Sequence, residues 1–131
     1  MLTVNNSIRF VVAMVATAAL FVGSGSDALA RPKYKNLLDA KYPDLAKKHG
    51  TDGKLACTVC HPKIDGKDDK KVRNNYGAAL GKALSKKNET DEDKIKEALT
   101  KIESEKSATA DKTFGDLIKD GTLPGTDEAA K

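Results

Sequence analysis

The chain's 131 residues leave room for one small domain. With three phenylalanines, three tyrosines and no tryptophan it buries little apolar surface by its own means, which excludes a large self-sufficient core. A formal net charge of +4 is unevenly spread, with 13 basic and 6 acidic side chains from Arg31 to Lys82 but 9 and 12 from Ala83 to Lys131, and no aromatic interleaving on the basic stretch speaks for nucleic acid.

The N-terminus has the features of a secretory signal. Arg9 is the only charged residue among the first 26 positions, Phe10 to Gly23 is almost unbroken apolar sequence, and Ala28-Leu29-Ala30 supplies an A-x-A cleavage site. Residues 1–30 are therefore expected to be removed and the protein to be exported, to a periplasm or beyond. A membrane span needs roughly 20 apolar residues; this run is shorter and is closed by Ser24, Ser26 and Asp27, so stable membrane insertion is not expected. Met1 and Met14, the only methionines, leave with the signal.

The mature chain reads as helical throughout. Tyr34, Leu37, Leu38 and Leu45 mark an N-terminal helix interrupted near Pro43, followed by a short second turn ending at His49-Gly50. A second clear helix is expected to open at Asp68 or Asp69, with Val72, Tyr76, Ala79, Leu80, Ala83 and Leu84 on its buried face. Gly77 and Gly81 inside it each cost about 1 kcal/mol against alanine, which implies a close backbone approach. A third helix is expected from Thr90, with Asp93 as capping partner, a stripe of Ile95, Ala98, Leu99 and Ile102, and outer pairs Glu92 with Lys96 and Glu97 with Lys101. A short last helix holds Phe114, Leu117 and Ile118 and stops at Gly121; the domain ends near residue 125, and residues 126–131 form a flexible tail.

Chemistry concentrates in Cys57-Thr58-Val59-Cys60-His61, which has the C-x-x-C-H spacing for covalent haem c attachment. Two thiols three apart on one turn can each add to a haem vinyl group, and the next histidine is carried under the ring to ligate iron. Cys57 and Cys60 are thus expected as thioether anchors and His61 as proximal ligand. With no methionine in the mature chain, histidine/methionine ligation is excluded, which points to a low reduction potential. His49, the only other histidine, is a candidate distal ligand, and equally a helix-terminal or surface residue. Tyr34, Tyr42, Tyr76, a lysine or an open sixth position are the remaining choices. Other readings of the cysteines are a disulfide, a thiol-redox pair, or zinc held with His49 and His61. A thiol-redox pair would be expected on a thioredoxin-like scaffold, and nothing here alternates as strands do. A porphyrin buries several hundred Å² of apolar face, on the order of ten kcal/mol before ordering costs, so the haem-free form is expected to fold poorly.

In these motifs the chain resembles small monohaem c-type cytochromes of class I-like fold, in particular those of planctomycete-type bacteria. The resemblance rests on the pentad, the lysine-rich segment after it, Asn75-Tyr76-Gly77-Ala78-Ala79-Leu80, Thr113-Phe114-Gly115-Asp116-Leu117-Ile118 and Leu123-Pro124-Gly125, and spans roughly Tyr34 to Gly125. It implies an all-α, cytochrome c-like bundle of three to five helices around one covalently attached haem. Relatives in anaerobic ammonium oxidisers include haem c proteins with a cysteine distal ligand that interact with nitric oxide; this chain has no third cysteine to carry that ligation.

The expected function is one-electron transfer through haem c, without enzymatic chemistry, since no constellation of acid, base or nucleophile accompanies the pentad. Lys63, Lys67, Lys70, Lys71 and Arg73 point to an acidic redox partner protein. The alternative is a small-gas (NO or CO) binding or sensing protein with an open or displaceable sixth ligand. Working alone, as a homodimer or as half of a heterodimer are all compatible with the sequence.

Overall fold

The computed structural model describes residues 26–131. All but the end of the segment expected to be a signal, with Met1, Arg9 and Met14, lies outside the described residues. Five α-helices carry the described fold: α1 (Ser26–Lys41), α2 (Pro43–His49), α3 (Asn75–Ala83), α4 (Glu92–Ile102) and α5 (Phe114–Lys119), with a 3₁₀ turn at Cys57–Val59. The mostly helical class agrees with the sequence; a two-stranded hairpin, β1 (Lys63–Ile64) and β2 (Lys67–Asp68), does not. Its cause is the Asp65-Gly66 pair, both at positive φ (51° and 75°), which is the turn that two-residue antiparallel hairpins favour. Asp52 and Gly53 repeat the device between Thr51 and Lys54.

Proline separates α1 from α2 as expected. Pro43 has no N–H to continue α1 and biases Tyr42 out of the helical region, to φ −125° and ψ 63°, then serves as the first residue of α2, where no N–H is needed. The Tyr42 carbonyl still accepts from Ala46 N, and Tyr42 N donates to Leu38 O, so the two helices meet at a bend rather than a gap.

Two helix starts fall later than expected. Asp69 does not cap α3: its carboxylate accepts from Lys71 N in a local turn, and the helix begins at Asn75, capped by Asn74, whose side chain accepts from Gly77 N. Val72 is consequently outside the helix, and Leu84 lies just past its end. Thr90 does not open α4, because Thr90 N and Asp91 N both donate to the Glu89 carboxylate; Asp91 caps instead, accepting from Asp93 N and Lys94 N. Neither expected surface pair on α4 forms. Glu92 reaches Lys33 of α1 at 3.5 Å, across helices rather than along one.

The buried stripes are those the periodicity marks. Ile95, Ala98, Leu99 and Ile102 of α4 pack on Tyr76, Ala79 and Leu80 of α3, with Leu38, Leu45 and Phe114 completing one contiguous core. Phe114 meets Tyr76 edge to face, ring centres 5.2 Å apart at 81°. Helix α5 is launched by a capping box, in which the Thr113 side chain accepts from Asp116 N and the Asp116 side chain accepts from Thr113 N. The C-terminal stretch, expected to be free, makes two links: Thr126 N donates to Asn75 Oδ1 and Ala130 N to Arg73 O.

Three carboxylates sit below their ordinary pKa. Glu89 is lowered by the amide of Asp91, against its desolvation, with help from Ser85, Thr90 and Lys86; Asp116 is lowered by the amide and hydroxyl of Thr113. For Glu103, desolvation acts upward, but hydrogen bonds from Tyr42 and Lys41 and the charges of Lys41 and Lys119 outweigh it. A carboxylate whose folded pKa is depressed contributes stability that is complete above its unfolded value and is lost as pH falls through the folded one. The melting temperature is therefore expected to be level from pH 7 to about 5 and to fall below about 4, near the unfolded carboxylate range. Thermal scans across that range check it, and Glu103→Gln should make the acid limb shallower; an identical slope would remove Glu103 from the set.

Candidate functional site

The pentad is a single tight turn. Ala56 enters it extended, residues 57–59 form the 3₁₀ turn, and both Cys60 N and His61 N donate back to the Cys57 carbonyl, at 3.2 and 3.0 Å. The turn thereby brings Cys57, Cys60 and His61 together, all half-buried, with both thiols unlinked. Leu55 leads into it from the core, its N–H held by Asp39 of α1 at 2.8 Å.

His61 is oriented by its other ring nitrogen. Nδ1 lies 2.6 Å from the Val72 carbonyl. A carbonyl can only accept, so Nδ1 carries the proton, and in the neutral ring Nε2 keeps its lone pair. A backbone carbonyl behind the imidazole is the support that metal-bound histidines use to fix the ring and raise its basicity. The same bond closes the segment from His61 to Val72, inside which Asp69 N donates to Pro62 O at the base of the hairpin.

Asn74 holds the turn from below. Its side chain donates to the carbonyls of Thr58 and Val59, at 3.2 and 3.1 Å, and accepts from Gly77 N at 2.9 Å, while its own N–H donates to Cys60 O at 3.0 Å. It has no solvent exposure. Gly77 is glycine because a Cβ there would collide with the Cys60 carbonyl; Gly125 is glycine because a Cβ would meet the Asn74 amide and the Val59 carbonyl. The close approach implied for Gly77 is thus to the pentad itself. Gly81 clears space for the guanidinium of Arg73. Sequence reading did not single out Asn74, although an asparagine two residues before the first apolar residue of a helical stripe is a cap signal.

Burial pushes the Cys60 thiol up to about 12, with Cys57 adding to the shift and Arg73 opposing it. Thiol-redox chemistry needs the opposite, a thiolate at neutral pH. The zinc reading needs His49 beside Cys57, Cys60 and His61. His49 is not carried to the pentad in this geometry. It is exposed at the end of α2, with Nε2 2.8 Å from the Gly121 carbonyl beyond α5, which is the helix-terminal role that its sequence position also allowed.

The residues present fit a haem held through the pentad. Two thiols share one turn, and the adjacent imidazole has its metal-binding nitrogen free. Lys63, Lys67, Lys70, Lys71 and Arg73 are exposed on the segment that leaves the site, and none of them is in an ion pair among the described residues. Comparison of the chain with protein-family models, with curated proteins and with solved structures finds no match.

Removing the Asn74 amide strands the buried Val59 carbonyl and Gly77 N–H together with the part-buried Thr58 carbonyl. Asn74→Ala is expected to cost on the order of 3 kcal/mol, the combined desolvation of those groups. Chemical denaturation measures it; a loss under about 0.5 kcal/mol, the size of an ordinary surface change, would mean that the turn holds without Asn74.

Proposed function

We propose that this chain is an exported monohaem c-type cytochrome that carries single electrons. Cys57 and Cys60 hold the haem by thioether bonds, and His61 ligates iron through Nε2. The observation that carries the reading is the 2.6 Å link from His61 Nδ1 to the Val72 carbonyl, because it prepares a ligand-competent imidazole at the one place where C-x-x-C-H requires it.

The bound haem would supply the ferric/ferrous couple. The protein's own part is to hold it still and meet a partner. Asn74 and Gly77 keep the thiols and imidazole on one rigid turn, so the ligand set does not have to rearrange when charge changes. The hairpin residue Ile64, 41% exposed, follows Lys63 and pairs with Lys67, an apolar point flanked by cations that suits brief, salt-sensitive docking of an acidic redox protein.

Export is supported by α1. Pro32 lies inside that helix, where it leaves a carbonyl without its donor. Cleavage after Ala30 would put Pro32 in the first turn, the part of a helix that tolerates it.

The mature protein, produced together with haem-attachment machinery, is expected to give a low-spin haem c spectrum that carbon monoxide does not alter. A Soret band shifted by carbon monoxide would move the reading to gas binding, and no Soret band would remove haem altogether. Denaturing electrophoresis with haem staining should show haem retained by the wild type and lost from the Cys57→Ala, Cys60→Ala double variant. His49→Ala tests the sixth position: conversion of a low-spin to a high-spin spectrum would make His49 the distal ligand, and an unchanged spectrum would leave it at Gly121.

A further inference from the structure

The chain has three tyrosines, and two of them, Tyr42 and Tyr76, are in its core. Buried phenols ordinarily find an acceptor. Tyr42 does: its hydroxyl donates to Oε1 of Glu103 at 2.6 Å. Lys41 Nζ lies 3.1 Å from the same oxygen and 5.4 Å from the centre of the Tyr42 ring. Tyr76 has no solvent exposure, and its phenol lies beside those of Tyr42 and the Cys60 thiol. It sits one residue from Gly77, which packs on the Cys60 carbonyl.

Electrostatics makes the pair unusual. Burial raises the Tyr42 phenol, as do Tyr76 and Glu103, so it does not ionise alone. Glu103 faces Tyr42, Tyr76, Lys41 and Lys119, and the hydrogen bonds and cations keep it ionised at neutral pH. A phenol that cannot lose its proton alone, bonded to an ionised carboxylate, can give up an electron only as the proton moves across that bond.

We propose that Tyr42 is a redox-active tyrosine that gives one electron to a strong oxidant while its proton passes to Glu103, with Tyr76 linking it to the haem-bearing Cys60. The link through Tyr76 rests on the cytochrome reading; the Tyr42–Glu103 pair does not. In the step the Tyr42 O–H bond breaks, an O–H bond forms at Glu103 Oε1, and the electron reduces the oxidant by one unit, leaving a neutral tyrosyl radical beside a neutral carboxylic acid. Return of an electron reverses both. The oxidant class is a one-electron acceptor stronger than ferric haem, such as the oxidising equivalents that hydrogen peroxide delivers to a haem protein. The pair would drain them from the site before the porphyrin or its thioethers are damaged.

The probe is photogenerated tris(bipyridine)ruthenium(III) acting on the full haem-loaded protein, with the radical read by freeze-quench electron paramagnetic resonance. Wild type and Tyr34→Phe should give the same tyrosyl signal, and Tyr42→Phe none. Glu103→Gln should slow its formation about a hundredfold, the low end of what removing a positioned base costs, and heavy water should slow the wild type. A signal that survives Tyr42→Phe, or a rate indifferent to Glu103→Gln, overturns the assignment. With hydrogen peroxide as oxidant, Tyr76→Phe should lower the Tyr42 radical yield severalfold; an equal yield, or no wild-type radical, removes Tyr76 from the route. The haem spectrum taken on the same samples keeps the two readings apart, because its absence would count against the cytochrome and not against the Tyr42–Glu103 pair.

Discussion

Asn74 satisfies two carbonyls of the pentad turn, caps α3 through Gly77 N and ties its own backbone to Cys60 O, all without contact with water. Hydrogen bonds in such a dry place are hard to trade away, because every partner left behind would be buried unpaired. Three stretches distant in sequence therefore have to converge on one side chain: the turn at 58–60, the start of α3, and the Pro124-Gly125 segment that closes over them. The two glycines at 77 and 125 are the steric counterpart of that convergence, since neither place has room for a Cβ.

From this hub the roles of the neighbouring residues follow. The loop from Pro62 to Val72 is held at one end by the pentad and at the other by the imidazole that bonds the Val72 carbonyl. This exposed, lysine-rich segment is thus mechanically joined to the group proposed to hold iron. That is a suitable arrangement for an electron carrier, where contact must be near the redox centre yet leave its ligands undisturbed. On the other side, α3 presents Tyr76 to the core, where it meets Phe114 and approaches the Tyr42–Glu103 pair. Tyr76, beside that pair, and Gly77, against the Cys60 carbonyl, share one helix.

Much of this was legible from residue spacing. The bend at Pro43, the stripe of α4 and the start of α5 depend on neighbours within a turn or two, and local periodicity and capping report such neighbours directly. The hairpin at Asp65-Gly66 was also legible and was overridden by the helical periodicity on either side of it, although an Asp-Gly pair is the strongest short hairpin signal. The late starts of α3 and α4 were harder. Several Asp and Asn residues compete there as caps, and the choice was made by Glu89 and Val72, whose carboxylate and carbonyl are committed to other partners.

What the sequence determined alone is the chemistry available: a C-x-x-C-H pentad, methionine confined to positions 1 and 14, a basic segment after the pentad, and helices of known facing. These are properties of composition and short-range spacing, and no packing is needed to read them. Only the tertiary structure decided which carbonyl holds His61, that Asn74 and not an aspartate anchors the turn, that His49 turns to Gly121, and that Tyr42 finds Glu103 across 61 positions of sequence. Each of those is a contact between segments far apart in the chain, and such contacts exist only once the apolar faces have chosen how to bury one another.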